Sequence, residues 1–412
     1  TNISFRSYST AAGPSAVGFA VGGTDIYSVN APDSGLVTVN QSVTGQNGLT
    51  SAVIKIQGWL NGSRTSSGAG ILKLDDVIIS GTVTPIITGI ESIATGNWNN
   101  PATWTGGNVA ESNQNAIIKS GHTVTVNDAA YSTRDLGTTT TVELGGILQT
   151  GMTYTNNGTT TVNGTFRINA GGFATGNSFV YGAASTLNMN HANSTVYGIN
   201  GSQAFWPVAN PPFNVTVFGA SPTRLDMAVG TVAGTLAISS ELDVNLPNSL
   251  RVDGILRINA GGNIDTNSPI YGSTSTLRYF STGTYGRSFE WFANGVGTIG
   301  VTPGYPNIVE IQNNTTLDYI NGAVANAVGS KAMAGNLNIA AGSSLDMSTG
   351  SVAAGGALVV GGTAAVAGSL ILGVGTNDDL RLNGNLAVTG TFTGNNKKVF
   401  LTNNIVAQTI TG

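Results

Sequence analysis

Short apolar segments recur along the chain, and glycine, asparagine, serine or threonine separates each one from the next. In the second part of the chain the recurring unit is a glycine followed by alternating polar and apolar positions. It occurs at 164–168 (GTFRI), 234–238 (GTLAI), 254–258 (GILRI), 335–339 (GNLNI), 356–360 (GALVV) and 384–388 (GNLAV). Alternation with a period of two is typical of strands that bury one face. No amphipathic stretch of roughly 10–15 residues lies between the units, so the pattern does not indicate helices alternating with strands.

Neighbouring units lie about one solenoid coil apart. The glycines at 234 and 254 are 20 residues apart, and those at 335 and 356 are 21 apart. This spacing predicts a three-sided parallel β-helix over 133–412, which we expect to be right-handed. At a strand spacing of ~4.8 Å, on the order of a dozen coils would extend roughly 60 Å.

One longer segment is present twice. Residues 165–187 and 255–277 match at a constant offset of 90, and 13 of their 23 positions are identical. Such self-similarity marks a repeated structural module, because each repeat of a solenoid packs on its neighbours. The offset corresponds to a super-repeat of about four coils.

The first 84 residues have a different pattern. Apolar or alternating runs at 3–8, 16–21, 36–39, 53–59 and 71–79 are separated by turn residues, which predicts five antiparallel strands in a β-sandwich. Residues 85–132 are predicted to be a linker followed by the N-terminal cap of the β-helix.

Composition excludes several classes of function. Only 9% of the residues are charged, against about 25% in an average soluble domain. The net charge is −4 and no basic patch occurs, so we expect no nucleic-acid partner. The apolar runs are too short for a transmembrane helix, and the absence of cysteine rules out disulfides and thiolate sites. Because the chain begins at Thr1, we expect it to be a processed product or a segment of a longer protein.

Two groups of motifs resemble a known class of protein. Residues 58–63 (GWLNGS) and 74–81 (LDDVIISG) are similar to the closing strands of jelly-roll modules in large secreted Bacteroidetes proteins. Within 96–126, the motifs GNW, PATW, NAII and GHTVTV resemble the segment that precedes parallel β-helices in the same surface proteins. Asn115 stands where that pattern usually has aspartate.

The resemblance implies an all-β protein that is secreted or exposed at the cell surface. It implies a structural or adhesive role, as a rod-like adhesin or a subunit of a fibre. The expected partners are further copies of the chain, other surface proteins or glycans. The alternative is a β-helix that binds or degrades polysaccharides.

Aromatic residues are the main candidates for partner contacts. Two longer interruptions, 197–212 and 285–306, follow the two copies of the repeat and carry Trp206, Trp291, Phe292 and Tyr285. We expect loops on one flank of the solenoid, in which these rings either cover apolar surface or contact a ligand or partner. In the segment 91–130, Trp98 and Trp104 are expected to cover the first coil.

Candidate catalytic and metal-binding residues are few. His122 and His191 are not spaced as metal ligands, Asp378 and Asp379 are expected to form a solvated turn, and the remaining acids are sparse. Asp76 is a weak candidate for Ca²⁺ binding, because hard carboxylates suit that ion. We therefore expect no enzyme activity and no cofactor other than this candidate Ca²⁺.

Overall fold

The computed structural model of the 412-residue chain divides into two compact units, Thr1–Thr88 and Gly89–Gly412. The residues that it describes are 2–9, 16–21, 24–30, 36–42, 54–59, 72–80, 89–190, 197–200, 203–219, 222–226, 230–319, 329–348 and 356–412.

The described strands of the first unit form two antiparallel sheets. The strands are β1 (Asn2–Ser9), β2 (Ala16–Val21), β3 (Thr24–Asn30), β4 (Leu36–Ser42), β5 (Ile54–Trp59) and β6 (Leu72–Ser80). One sheet has the order β4-β1-β6 and the other β3-β2-β5. Phe5, Val17 and Val39 are buried. Strand β3 was not expected from the sequence, since its residues (TDIYSVN) carry few apolar side chains.

The second unit is a parallel β-solenoid of about 13 turns. One strand from each successive coil joins a single 14-stranded sheet, here called the long face. At ~4.8 Å per strand, this face extends roughly 60 Å. Its strands are β8 (Gly96–Asn97), β10 (Thr123–Val126), β13 (Ile147–Thr150), β16 (Thr165–Asn169), β19 (Thr186–Asn190), β21 (Asn214–Phe218), β24 (Thr235–Ile238), β27 (Ile255–Asn259), β30 (Thr276–Phe280), β32 (Ile308–Ile311), β35 (Leu337–Ile339), β38 (Ala364–Val366), β41 (Leu386–Val388) and β44 (Ile410–Thr411).

The leading face consists of strands that precede the long face in each coil. It is divided into three sheets. The first contains β7 (Ile90–Glu91), β9 (Ala116–Ile118), β12 (Thr139–Val142), β15 (Thr159–Val162) and β18 (Val180–Tyr181); the second contains β23 (Gly230–Val232), β26 (Leu250–Val252) and β29 (Ile270–Tyr271); the third contains β34 (Lys331–Met333), β37 (Leu358–Val360), β40 (Leu380–Leu382) and β43 (Val399–Leu401).

The trailing face consists of strands that follow the long face, and it too is divided into three sheets. These contain β11 (Thr133–Arg134), β14 (Thr153–Asn156) and β17 (Phe173–Gly176); then β20 (Tyr197–Asn200), β22 (Thr223–Asp226), β25 (Glu241–Val244) and β28 (Asn263–Asp265); then β31 (Gly283–Gly286), β33 (Thr315–Asp318), β36 (Ser344–Asp346), β39 (Ser369–Ile371) and β42 (Thr391–Thr393). Short 3₁₀ helices occur at Pro101–Thr103, Thr105–Gly107, Ala129–Tyr131 and Phe289–Trp291.

The alternation seen in the sequence places one apolar column inside the solenoid. Along the long face Leu148, Phe166, Leu187 and Val215 stack in register, and all four are fully buried. The intervening residues point outward, where Asn190 donates to the Asn169 carboxamide oxygen at 2.9 Å. Since each strand also bonds to the next coil, the backbone polar groups of the wall are paired with one another.

The two copies of the sequence repeat lie four coils apart. Phe166 is followed in its column by Leu187, Val215, Leu236 and then Leu256, its counterpart at the offset of 90. Coil length is not constant at about twenty, because 21 residues separate Phe166 from Leu187 and 28 separate Leu187 from Val215.

Two insertions account for the longest coils and for the breaks in the leading face. The first insertion is 203–213, between β20 and β21, and the second is 287–307, between β31 and β32. Each lies where its coil would otherwise contribute a strand to the leading face, between the sheets ending at β18 and starting at β23, or ending at β29 and starting at β34. The insertions therefore replace wall segments of the solenoid.

Candidate functional site

The two insertions are attached to the wall in the same way. Tyr181 of β18 donates its hydroxyl hydrogen to the carbonyl oxygen of Phe205 at 2.7 Å. Tyr271 of β29, its counterpart in the second repeat, donates to the carbonyl oxygen of Glu290 at 2.7 Å. In both cases a tryptophan follows the acceptor residue. The repeat therefore includes the insertions, although their lengths differ.

Both tryptophans of the insertions lie inside the solenoid. Trp206 and Trp291 have no exposed surface, and Trp291 donates its indole hydrogen to the carbonyl oxygen of Ala332 at 2.9 Å. The alternative in which these two rings contact a ligand is corrected by this burial. The physical reason is that each ring fills the place of a missing wall strand.

The other two candidate aromatics are half-buried. The ring of Tyr285 packs on Tyr279 with their centroids 5.5 Å apart, and Phe292 stacks on Phe289 at 4.9 Å. These rings line the second insertion, and they do not form an exposed aromatic row.

The second insertion contains buried charges that the sequence did not indicate. Arg287, Glu290 and Lys331 are exposed by 1%, 0% and 0% respectively. Phe205 stands at the place of Glu290 in the first insertion and packs against Phe173 at 5.4 Å. A charged residue between the aromatic neighbours Phe289 and Trp291 was the available signal, since it lies in a segment whose rings were candidates for burial.

Glu290 is held in an environment that favours its neutral form. Burial raises the pKa of its carboxyl group, while hydrogen bonds from the backbone oppose the shift. Its Oε1 accepts from the Ser288 amide at 2.8 Å and from the Tyr279 hydroxyl at 3.1 Å. Burial also raises the pKa of Tyr279 and of Tyr285 well above the ordinary value, and the nearby carboxyl group adds to both shifts.

Lys331 lies at the start of β34, against the second insertion. Burial, followed by the positive charge of Arg287, lowers the pKa of its amine to about 7. Its Nζ donates to the carbonyl oxygen of Phe292 at 3.3 Å and contacts Oδ1 of Asn294. A lysine with this pKa is a substantial nucleophile near neutrality, unlike an ordinary surface lysine.

A polar groove runs across the trailing face near β25. It has a volume of about 310 Å³ and is lined by Gly219, Pro222, Ser239, Ser240, Glu241, Gly261 and Asn263. Asp243 and Asp265 pair in register on neighbouring strands beside it. Burial, then the charges of Asp265 and Asp243, raise the pKa of Glu241. Acids that are sparse in the sequence are thus brought together on one face.

No metal site emerges from these acids. Among the described residues, no group of three or more histidine, aspartate or glutamate side chains could hold an ion. Asp76 lies in β6, but its side chain is outside the described residues, as is His191. His122 Nδ1 lies 2.9 Å from the hydroxyl oxygen of Ser92. Asp378 is only 1% exposed, so the expectation of a solvated turn is corrected; its Oδ2 accepts from the Gly375 amide at 2.6 Å.

The first coil is filled by the two tryptophans expected to form its cap. Trp98 and Trp104 are fully buried with their rings edge to face at 4.9 Å. Trp98 donates to the carbonyl oxygen of Ala110 at 2.8 Å. The buried Arg134 lies 5.1 Å from the Trp98 ring and donates to the carbonyl oxygen of Glu111 at 2.9 Å. These contacts attach the loop around 110–114 to the end of the long face.

Comparison with known proteins assigns no family. No family model matches the chain, and neither the curated proteins nor the solved structures gave a significant match. Among the described residues, no helix has the length and apolar character needed to cross a bilayer.

Proposed function

We propose that the protein is an extracellular structural or adhesive component, a rod-like surface adhesin or a fibre subunit. The supporting observation is the continuity of the second unit, in which 14 strands form one ladder over one hydrophobic core that includes residues from Trp98 to Leu386. Disrupting such a ladder requires breaking backbone hydrogen bonds and exposing apolar side chains together. This construction suits mechanical support.

The proposal extends to location and to the first unit. The motifs in 58–81 and 96–126 support membership of the secreted Bacteroidetes surface class, with the sheets β4-β1-β6 and β3-β2-β5 forming the layers of a jelly-roll-like sandwich. Right-handed winding of the solenoid is part of this proposal, because crossovers between parallel strands are right-handed in about 98% of cases. Protease treatment of intact cells tests the location, since a protein inside the cell would be protected.

Assembly through strand edges is supported by the last coil. Ile410 of β44 is 58% exposed, whereas its partner Leu386 of β41 is 1% exposed. An apolar column with an unpaired strand edge favours β-augmentation, which we propose is provided by another copy of the chain. Ile410→Lys places a charge at this contact and should abolish assembly.

Electron microscopy of the purified chain over a range of concentrations tests the fibre version. We expect filaments that shorten or disappear in the Ile410→Lys variant, while the exposed Val374→Lys leaves them unchanged. Monomers at every concentration would contradict assembly, and filaments unaffected by Ile410→Lys would contradict this contact.

A second candidate function is the binding or cleavage of polysaccharides. The groove near β25 favours it, because glycosidases use paired carboxylates of which one has a raised pKa. Glu241 would act as the acid and Asp243 or Asp265 as the second carboxylate. A glycan array and assays on polysaccharides test it with the Glu241→Gln variant. Binding or turnover lost in that variant would support this function, and no signal with the unaltered chain would exclude it for the glycans tested.

A further inference from the structure

Lys331 and Asn294 join the second insertion to the coil that follows it. Their backbones form an antiparallel bridge, and the Lys331 amide donates to the carbonyl oxygen of Ala357 at 3.0 Å. The Lys331 side chain is fully buried, with Nζ against Oδ1 of Asn294. An amine and a carboxamide are therefore in contact inside a rigid wall.

The amine is available as a nucleophile. Because burial and Arg287 bring its pKa to about 7, roughly half of the molecules carry it uncharged at neutral pH. The ring of Phe292 lies 5.4 Å from Nζ and limits where the amine can move. Contacts of Nζ with Phe292 and Asn294 thus keep its lone pair near the carboxamide.

The carboxamide is held from its other side by Gly329. A Cβ at position 329 would lie 3.2 Å from Oδ1 and 3.6 Å from Cγ of Asn294, so a glycine allows the close approach. Since Nζ contacts Oδ1, the carbon bonded to that oxygen is one bond away from the contact. Fixing two reactants in this way can supply an effective concentration of about 10⁵–10⁸ M.

We propose that Lys331 and Asn294 form an intramolecular isopeptide bond. The Nζ lone pair attacks Cγ, the Nζ–Cγ bond forms and the Cγ–Nδ2 bond breaks. A proton from Nζ is transferred to Nδ2, and one ammonia molecule leaves. The step needs no oxidant, reductant or cofactor. Asn294 is exposed, so water can carry the proton and the ammonia has a path to solvent.

The bond would connect residues 37 positions apart. It would fix the second insertion to β34 and hold the break in the leading face closed. As with a disulfide, a covalent link across such a loop limits the unfolded chain. The inference goes beyond the proposed function, because the cross-link can be present or absent in either a structural or a sugar-binding protein.

A competing reaction gives the same change of mass. Asn294 precedes Gly295, and attack by the Gly295 backbone nitrogen on the same carboxamide would form a succinimide with loss of ammonia. In the structure, that N–H donates to the carbonyl oxygen of Ala293 at 3.2 Å. This bond holds the nitrogen in a contact with the backbone, whereas the Lys331 amine contacts the carboxamide itself.

Mass spectrometry of the intact full chain, after incubation in its folded state at pH 8, tests the proposal. We expect a mass lower than the sequence mass by one ammonia, and a proteolytic fragment in which Lys331 and Asn294 are joined. Lys331→Met and Asn294→Ser should restore the full mass, whereas Lys398→Met, at an exposed lysine, should keep the deficit.

The unaltered chain alone can overturn the proposal, so the test does not depend on folding of the variants. A full sequence mass, with Lys331 and Asn294 recovered in separate fragments, would leave only a hydrogen bond between them. A deficit that persists in Lys331→Met would identify the succinimide and would also refute the cross-link.

Discussion

Glu290 occupies in the second insertion the place that Phe205 occupies in the first. Each carbonyl oxygen accepts a tyrosine hydroxyl at 2.7 Å, and each residue precedes a fully buried tryptophan. One copy thus fills the gap in the wall with an apolar ring, and the other fills it with a carboxyl group. The second insertion is therefore sensitive to pH at a point where the first is not.

Replacing Glu290 by glutamine should remove a pH dependence of stability. The folded-state pKa of Glu290 is raised above the ordinary 4.5, so its contribution is fully present below that value and is lost as the pH rises through the folded pKa. The free energy of unfolding of the unaltered chain should fall over this range relative to that of Glu290→Gln. Urea unfolding at pH 4 to 9 measures the difference.

The matched control is Glu111→Gln, at an exposed glutamate in the first coil. It should follow the unaltered chain at every pH. If Glu290→Gln and the unaltered chain keep a constant difference in stability from pH 4 to 9, the burial argument for Glu290 fails.

Truncating either buried insertion tryptophan should destabilise the solenoid. Trp206→Ala and Trp291→Ala each remove a ring that takes the place of a wall strand, and buried Trp→Ala changes cost about 3–5 kcal/mol. Val208→Ala is the control, since Val208 lies in the first insertion with 65% of its surface exposed and should change stability by less than ~0.5 kcal/mol. Urea midpoints compare the three variants, and a tryptophan variant as stable as the control would contradict the burial.

The parallel solenoid could be predicted from sequence because its signal is local. In 164–168 and 254–258 a glycine, a buried apolar residue and an outward polar residue repeat with the period of a strand, and the coil spacing follows directly. Strand β3 gave no such signal, because Tyr27 and Val29 are separated by polar residues that are equally common in turns.

The site residues were harder to predict because they meet only after the chain has wound. Lys331 lies 37 residues from Asn294, and nothing near it in sequence marks it as buried. Asp243 and Asp265 are 22 residues apart, so only the coil register places them on adjacent strands. A coil length known to one residue is required for such contacts, and the insertions make that length irregular.

The carboxylates beside the groove should titrate together. The pKa of Glu241 is raised by burial, then by Asp265 and then by Asp243, so Asp265→Asn should lower it by removing a like charge. Asp243→Asn should lower it by less, and Asp128→Asn, in the first coils, should leave it unchanged. NMR titration of the Glu241 carboxyl carbon measures the shift, and an unchanged pKa in Asp265→Asn would show that burial alone acts on it.

Arg134 should be necessary for closing the N-terminal end of the solenoid. Its guanidinium group donates to the carbonyl oxygens of Ala110, Glu111 and Gln114 and lies over the Trp98 ring. Arg134→Met keeps much of the apolar stem but leaves buried carbonyl groups without this donor, at a cost of ~1–3 kcal/mol. Hydrogen exchange should then increase in 96–126 before it increases in later coils, because each coil is protected chiefly by its neighbours.

The control for this change is Arg381→Met. Arg381 also lies over an aromatic ring, with its guanidinium 5.6 Å from the Phe400 centroid, but it is exposed. Loss of an exposed cation–π contact costs about 0.5–1 kcal/mol and should leave exchange in 96–126 unchanged. Equal exchange in the two variants would mean that Trp98 and Trp104 close the first coil without Arg134, and that the loop around 110–114 is held by other contacts.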